Sequence, residues 1–217
     1  MPSKDEEFSV VATAMMILVA GYDTTGTTMA HAAYRLALNP DVQDKLFAEI
    51  DEKVQEANGG DLDYTTLQNM PYLDQVLHET LRLHPPAPFL FRSCTKDYVI
   101  PGTNVTIEKG QDLQINTIGI QLDENYYENP TKFNPDNFSK EARTGRSPYT
   151  FLAFGQGPRS CVGMRFAMLE AKVGIVTVLR RFKLLATEET PKVLHRDPTQ
   201  LLGIPIEKML IKFEERH

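Results

Sequence analysis

The chain has 217 residues, 41% of them hydrophobic, with two cysteines and a formal net charge of -6. That suffices for one domain with a sizeable core, and the acidic balance does not suggest a nucleic-acid partner. Cys94 and Cys161 lie far apart, which argues against a disulfide scaffold and for a reducing compartment.

The apolar run Val10–Ala20 contains Thr13, is far shorter than a membrane span, and lacks the flanks of a secretory signal. Met1-Pro2-Ser3-Lys4 leads straight into a strongly apolar helix pattern. A domain seldom opens on its most buried helix, so 1–217 is expected to be a partial single domain whose N-terminal part is absent.

The spacing predicts a long helix from Asp5 to about Leu38, capped by Ser3 or Asp5 and stopped by Asn39-Pro40. A second helix runs from Asp41 to about Ala57 on the spacing of Val42, Leu46, Ile50 and Val54, and ends at Asn58-Gly59-Gly60. Tyr72 to His84 is a third, opened by Pro71 and closed by Pro85-Pro86. Short strands follow at Phe91–Thr95, Tyr98–Ile100, Asn104–Ile107 and Asp112–Asn116. Asn125 to Thr150 reads as loop and Gly163 to Arg181 as helix. Short strands with a hairpin tip at Leu201–Pro205 close the chain. This order is mainly α with small segregated β-sheets.

The strongest local signal is Phe154-Gly155-Gln156-Gly157-Pro158-Arg159-Ser160-Cys161-Val162-Gly163. A thiolate ligand must stay deprotonated, so positive potential has to surround its sulfur. A helix starting just after Cys161 supplies a dipole and free N–H groups. Gly155 and Gly157 let the backbone fold back so that N–H groups can point at the sulfur. A buried structural cysteine would not explain two glycines and an arginine at these spacings. A nucleophilic cysteine would want a histidine base, and a zinc site four ligands at close spacings. Neither pattern is present.

The segment resembles the haem-binding signature of the cytochrome P-450 superfamily, matched at every fixed position, and the resemblance extends over essentially the whole chain. It implies the C-terminal haem-binding part of that fold, from the long central helix to the end, and the pattern is similar to animal microsomal members acting on lipophilic compounds. Haem b (iron protoporphyrin IX) is then expected, with the Cys161 thiolate as axial metal ligand. Phe154, Gly155 and Gly163 would shape its seat, and Arg159 and Arg92 would pair with its propionates. Ala20-Gly21-Tyr22-Asp23-Thr24-Thr25 sets polar residues directly after an apolar run, so the cluster is expected to face a protected cavity from a locally loosened helix. The resemblance gives Asp23 and Thr24 the handling of dioxygen and protons, with Ala20 one turn away against the haem.

Glu79-Thr80-Leu81-Arg82 places an acid and a base three apart on one helix face, which alone reads as a surface pair. The resemblance makes it a buried structural pair. The family commonly adds an arginine where this chain has Pro135-Asp136-Asn137-Phe138, so Asn137 brings hydrogen bonds and no charge. His78, His84 and His195 read as ordinary surface or helix-end residues, and Cys94 as a bland thiol.

Between Gln156 and Lys183 lie Arg159, Arg165, Lys172, Arg180, Arg181 and Lys183 against only Glu170. Such a basic sulfur-side face would attract an acidic partner. By resemblance that partner is a flavoprotein reductase, or cytochrome b5. The expected function is a monooxygenase that inserts one atom of O2 into a lipophilic substrate with electrons from an NADPH-linked reductase. This chain alone is expected to be inactive. Candidate pocket walls are Met16, Ala20, Thr24, Ala87–Leu90 and Leu201–Ile204. The expected place is the cytosolic face of the endoplasmic reticulum, rather than the mitochondrion, with the anchor in the absent N-terminal part. A thiolate-haem isomerase or lyase, and an inactive truncated product, are the rival readings.

Overall fold

The computed structural model describes residues 4–60, 62–200 and 202–216. Ser3, one expected helix cap, and Leu201, part of the expected hairpin tip, lie outside them. Helix α1 (Lys4–Leu38) is unbroken, so Asp5 sits inside it instead of capping it. The expected loosening around Gly21 is absent. The hydroxyls of Thr13, Thr24 and Thr28 donate back to the carbonyls of Ser9, Ala20 and Thr24 at 2.8, 2.7 and 2.8 Å. Such back-bonding lets threonine sit inside a helix.

Helix α2 (Pro40–Glu56), α3 (Tyr64–Gln68) and α4 (Pro71–Leu83) follow. The sequence reading missed α3, although Asp63 caps it by accepting from the Thr66 N–H at 2.7 Å. Strand β1 (Phe89–Ser93) starts earlier than expected, directly after the run of prolines whose nitrogens cannot donate. Strands β2 (Tyr98–Val99), β3 (Thr106–Ile107) and β4 (Asp112–Asn116) complete two antiparallel pairs, β1 with β4 and β2 with β3. Helix α5 (Thr117–Gln121) is capped by Asn116.

The segment expected to be loop holds two 3-10 turns, at Pro135–Phe138 and Pro148–Thr150, and helix α6 (Lys140–Arg143). Asn134, Ser147 and Ser139 cap them in that order. Helix α7 (Met164–Leu179) leads into β5 (Phe182–Ala186), which pairs antiparallel with β6 (Ile211–Glu215). Among the described residues, three separate two-stranded sheets beside a helical body match the expected mainly α class.

One apolar cluster ties α1, α2, α4, α7 and β5 together, through residues such as Leu36, Ile50, Leu73, Leu77, Leu179 and Leu184. The first half of α1 contrasts with it, because Phe8, Met16, Leu18 and Val19 are exposed. By length and composition a window of α1 is apolar enough to cross a membrane. Its second half is core, since Ala32, Tyr34 and Leu36 are fully buried, so in this fold α1 serves as the central helix.

His84 differs from the sequence reading. It caps the C-terminus of α4 but is largely covered, and its ring stacks on the buried His31 at 4.3 Å. His31 donates from Nδ1 to the Thr27 carbonyl at 2.8 Å, and Arg35 Nε donates to His84 Nε2 at 2.9 Å. Burial, helped by Arg196 and Arg35, pushes the His31 imidazole down to about 4. The folded state therefore holds His31 neutral where the unfolded chain, titrating near 6.5, takes up a proton. Stability rises with pH through that window, and acidification from pH 6.5 to 4 removes on the order of 3 kcal/mol. The urea midpoint should fall across this range, and more steeply than in His31→Leu. Parallel pH profiles would show that His31 is not buried as a neutral ring.

Candidate functional site

The loop ahead of α7 turns on two glycines in the left-handed region, Gly155 at φ +68° and Gly157 at φ +77°. A Cβ at Gly155 would also lie 3.7 Å from Ser160 Cα. The loop closes on itself. Gly155 N–H donates to the Leu152 carbonyl at 2.8 Å, Ser160 N–H to Gly157 at 3.0 Å, and Cys161 N–H to Phe154 at 2.8 Å. Those N–H groups are thereby used on carbonyls. None of these three N–H groups is directed at the Cys161 sulfur.

Cys161 is an exposed free thiol just before Gly163, the N-cap of α7, so it does sit at the positive end of a helix. A Cβ on Gly163 would stand 4.0 Å from that sulfur.

A cavity of about 260 Å3 opens beside the sulfur. The loop contributes Phe154, Gly155, Arg159 and Cys161, and Arg92 and Leu90 of β1 reach the same space. Helix α1 contributes Thr24, Thr25 and Thr28, and α7 contributes Ala167, Met168 and Ala171. Most of the wall is apolar. Arg92 donates to the neighbouring Phe91 carbonyl at 2.8 Å, and among the described residues neither Arg92 nor Arg159 has a carboxylate partner. Two cations without acids therefore border a hydrophobic cavity with a cysteine in its wall.

Other sequence candidates fall elsewhere. Ala20, Asp23 and Met16 are exposed and do not line this cavity. The reason is angular: successive helix residues turn by about 100°, so a run of six cannot face one space. Ala20 still takes part through its carbonyl, which accepts from Thr24. Ala87 and Leu90 line the wall as expected, but Leu202, Gly203 and Ile204 of the hairpin tip do not. Its Gly203 lies behind the prolines, donating from N–H to the Pro86 carbonyl at 2.8 Å. A Cβ there would meet the Pro85 carbonyl at 2.8 Å.

Thr25, given no role on the sequence alone, also reaches the cavity. Its hydroxyl is buried at the cavity and has no hydrogen-bond partner among the described residues.

Glu79 and Arg82 are fully buried and bidentate, with both contacts at 2.7 Å. Asn137 Nδ2 donates to the same Glu79 oxygen at 3.2 Å, so it occupies the third-partner position without charge. The basic run is smaller at the surface than its sequence suggests. Lys172 is 3% exposed, donating to the Leu67 carbonyl at 3.2 Å and facing Asp74 at 3.3 Å.

The cytochrome P450 family model matches residues 3–213. The chain belongs to the cytochrome P450 family. It is similar to cytochrome P450 6B1 of Papilio polyxenes, 44% identical over 90% of this chain and 39% of the relative. It is likewise similar to cytochrome P450 6l1 of Blattella germanica, at 41% identity over 88% of this chain and 38% of that protein. Cytochrome P450 9e2 of the same insect is 42% identical over 88% of this chain and 36% of its own length. The chain thus spans less than two fifths of the length of these P450 relatives.

P450 membership implies a haem with thiolate ligation, and the residues present fit one. The cavity joins a helix-start cysteine, apolar walls for a flat ring, two acid-free arginines for its carboxylates, and an orphaned buried hydroxyl. Leaving that hydroxyl unsatisfied costs about 1–3 kcal/mol. Thr25→Val should therefore raise the denaturation midpoint of the haem-free protein. A fall would mean that the hydroxyl has a partner there.

Proposed function

We propose that this chain is the C-terminal, haem-holding part of a P450 monooxygenase that hydroxylates lipophilic compounds. The observation that carries the reading is the convergence of Cys161, Arg92, Arg159 and Thr24 on one apolar cavity. The haem, when bound, supplies the activation of dioxygen. In the overall balance a substrate C–H becomes C–OH. Two electrons from NADPH and two protons carry the second oxygen away as water.

The residues of this chain have separable tasks. Cys161 would hold the haem through its thiolate, a ligand that favours oxygen activation. Arg92 and Arg159 would pair with its carboxylates. Phe154, Leu90 and Met168 supply apolar wall that would exclude water, and Gly163 leaves room beside the sulfur. Thr24, steered by the Ala20 carbonyl, holds a proton donor at the substrate side. Exposed Asp23, the preceding residue, links it to solvent.

The electron donor is a reductase that meets the sulfur-side face, where Arg159 and Arg165 flank exposed Val162 and Phe166. The place is microsomal, as in the animal members this sequence resembles.

Thr24→Ala in the full-length enzyme tests the reading. General acid–base assistance is typically worth about 10²–10⁴-fold. The variant should keep its haem and consume NADPH, yet yield less product per NADPH and more hydrogen peroxide. An unchanged product-to-peroxide ratio would reduce the threonine to a packing feature. Product formed without NADPH or reductase would place the chain with isomerases instead.

A further inference from the structure

A second cavity, sharing no wall residue with the first, opens where the last turns of α1 and the end of α4 meet residues 192–196, Gly203 and Pro205. It holds about 610 Å3, and its titratable lining is basic: Arg35, Lys192 and Arg196, with the imidazoles of His31, His84 and His195.

Among the described residues Arg35, Lys192 and Arg196 have no acid partner, while His195 is paired with Glu207. Arg35 spends its Nε on His84 at 2.9 Å. Arg196 Nη2 donates weakly to the Pro85 carbonyl at 3.3 Å, and its Nη1 is buried with no partner. Among the described residues no carboxylate pairs with Arg35, Lys192 or Arg196. Two carboxylates whose charge reaches this region are already engaged. Glu79 is bound to Arg82 at 2.7 Å, and Glu207 to His195 at 2.5 Å. Burial drives both guanidinium pKa values down, the direction expected for cations held without a counter-charge.

Half-buried positive charge without a partner is costly, and the cost is recovered when an anion arrives. The planar guanidinium fork fits the paired oxygens of a carboxylate or phosphate. The neutral histidine pair leaves the net charge of the walls positive without adding repulsion between the rings.

We propose that this cavity is a binding site for a small oxyanion, a phosphate or carboxylate group, gripped by Arg35 and Arg196 with Lys192 at the rim.

Thermal unfolding of the full-length, haem-loaded protein tests this. Inorganic phosphate and, in a separate arm, acetate are titrated at ionic strength held constant with chloride. A saturable rise in Tm is expected. The apparent Kd should rise at least tenfold in Arg196→Gln and severalfold in Lys192→Gln, whose exposed side chain has no packing role. Response to one anion or to both supports the site and assigns its chemistry. A response no larger than that to chloride, or one unchanged in Lys192→Gln and Arg196→Gln, overturns it.

Discussion

Arg82→Ala should give little haem-loaded protein. The Arg82 side chain is fully buried and satisfies more than Glu79. Its guanidinium also donates to the carbonyls of Gln121 at 2.8 Å, Pro130 at 2.7 Å and Lys132 at 3.2 Å. It thereby fastens α4 to α5 and to the loop ahead of the Pro135 turn. Glu79 answers on the other side, accepting from the Asn134 N–H at 2.9 Å and from Asn137. Truncation leaves a buried carboxylate without its cation and three carbonyls without their donor. Breaking a buried pair costs about 3–5 kcal/mol, a large part of the stability of an ordinary domain. The midpoint of urea unfolding and the haem content of purified protein are the readouts. Normal yield with full haem would show that the pair carries no such load. Arg82→Lys should fall between, because an ammonium cannot reproduce the fork.

The missing arginine at position 137 bears on the same result. Asn137 supplies a hydrogen bond, and positive charge comes from a different residue. Arg146 donates to the Asn137 carbonyl, and its guanidinium lies 4.4 Å from the Tyr127 ring, with Arg82 4.7 Å from the same ring. Cation–π contact of this kind favours a charge beside the pair without placing it in the ion pair itself.

Much of this architecture is legible in the chain. The cysteine loop reads clearly because its glycines answer a backbone need, and both adopt the positive φ that the pattern demands. The helix stops at Asn39-Pro40 and Pro85-Pro86 read clearly because proline acts locally. What escaped depends on distant partners. Lys172 lies in a basic run, and only Asp74 and the Leu67 carbonyl, brought close by the fold, explain its burial. The His31–His84 stack joins two helices and has no local signature. The facing of the Ala20–Thr25 run holds for Thr24 and Thr25 and not for Ala20 and Asp23, for a geometric reason. Sequence adjacency marks a polar cluster, but helical rotation sends Asp23 to solvent and Thr25 to the cavity.

We propose that Cys161 ligates the haem through its thiolate. Replacing Cys161 with histidine exchanges a negatively charged sulfur for a neutral nitrogen at the same helix start. The reduced, carbon-monoxide-treated absorption spectrum of the full-length protein should carry a thiolate-type band, and that band should vanish in Cys161→His even where haem is retained. The same thiolate-type band in both proteins would contradict the assignment.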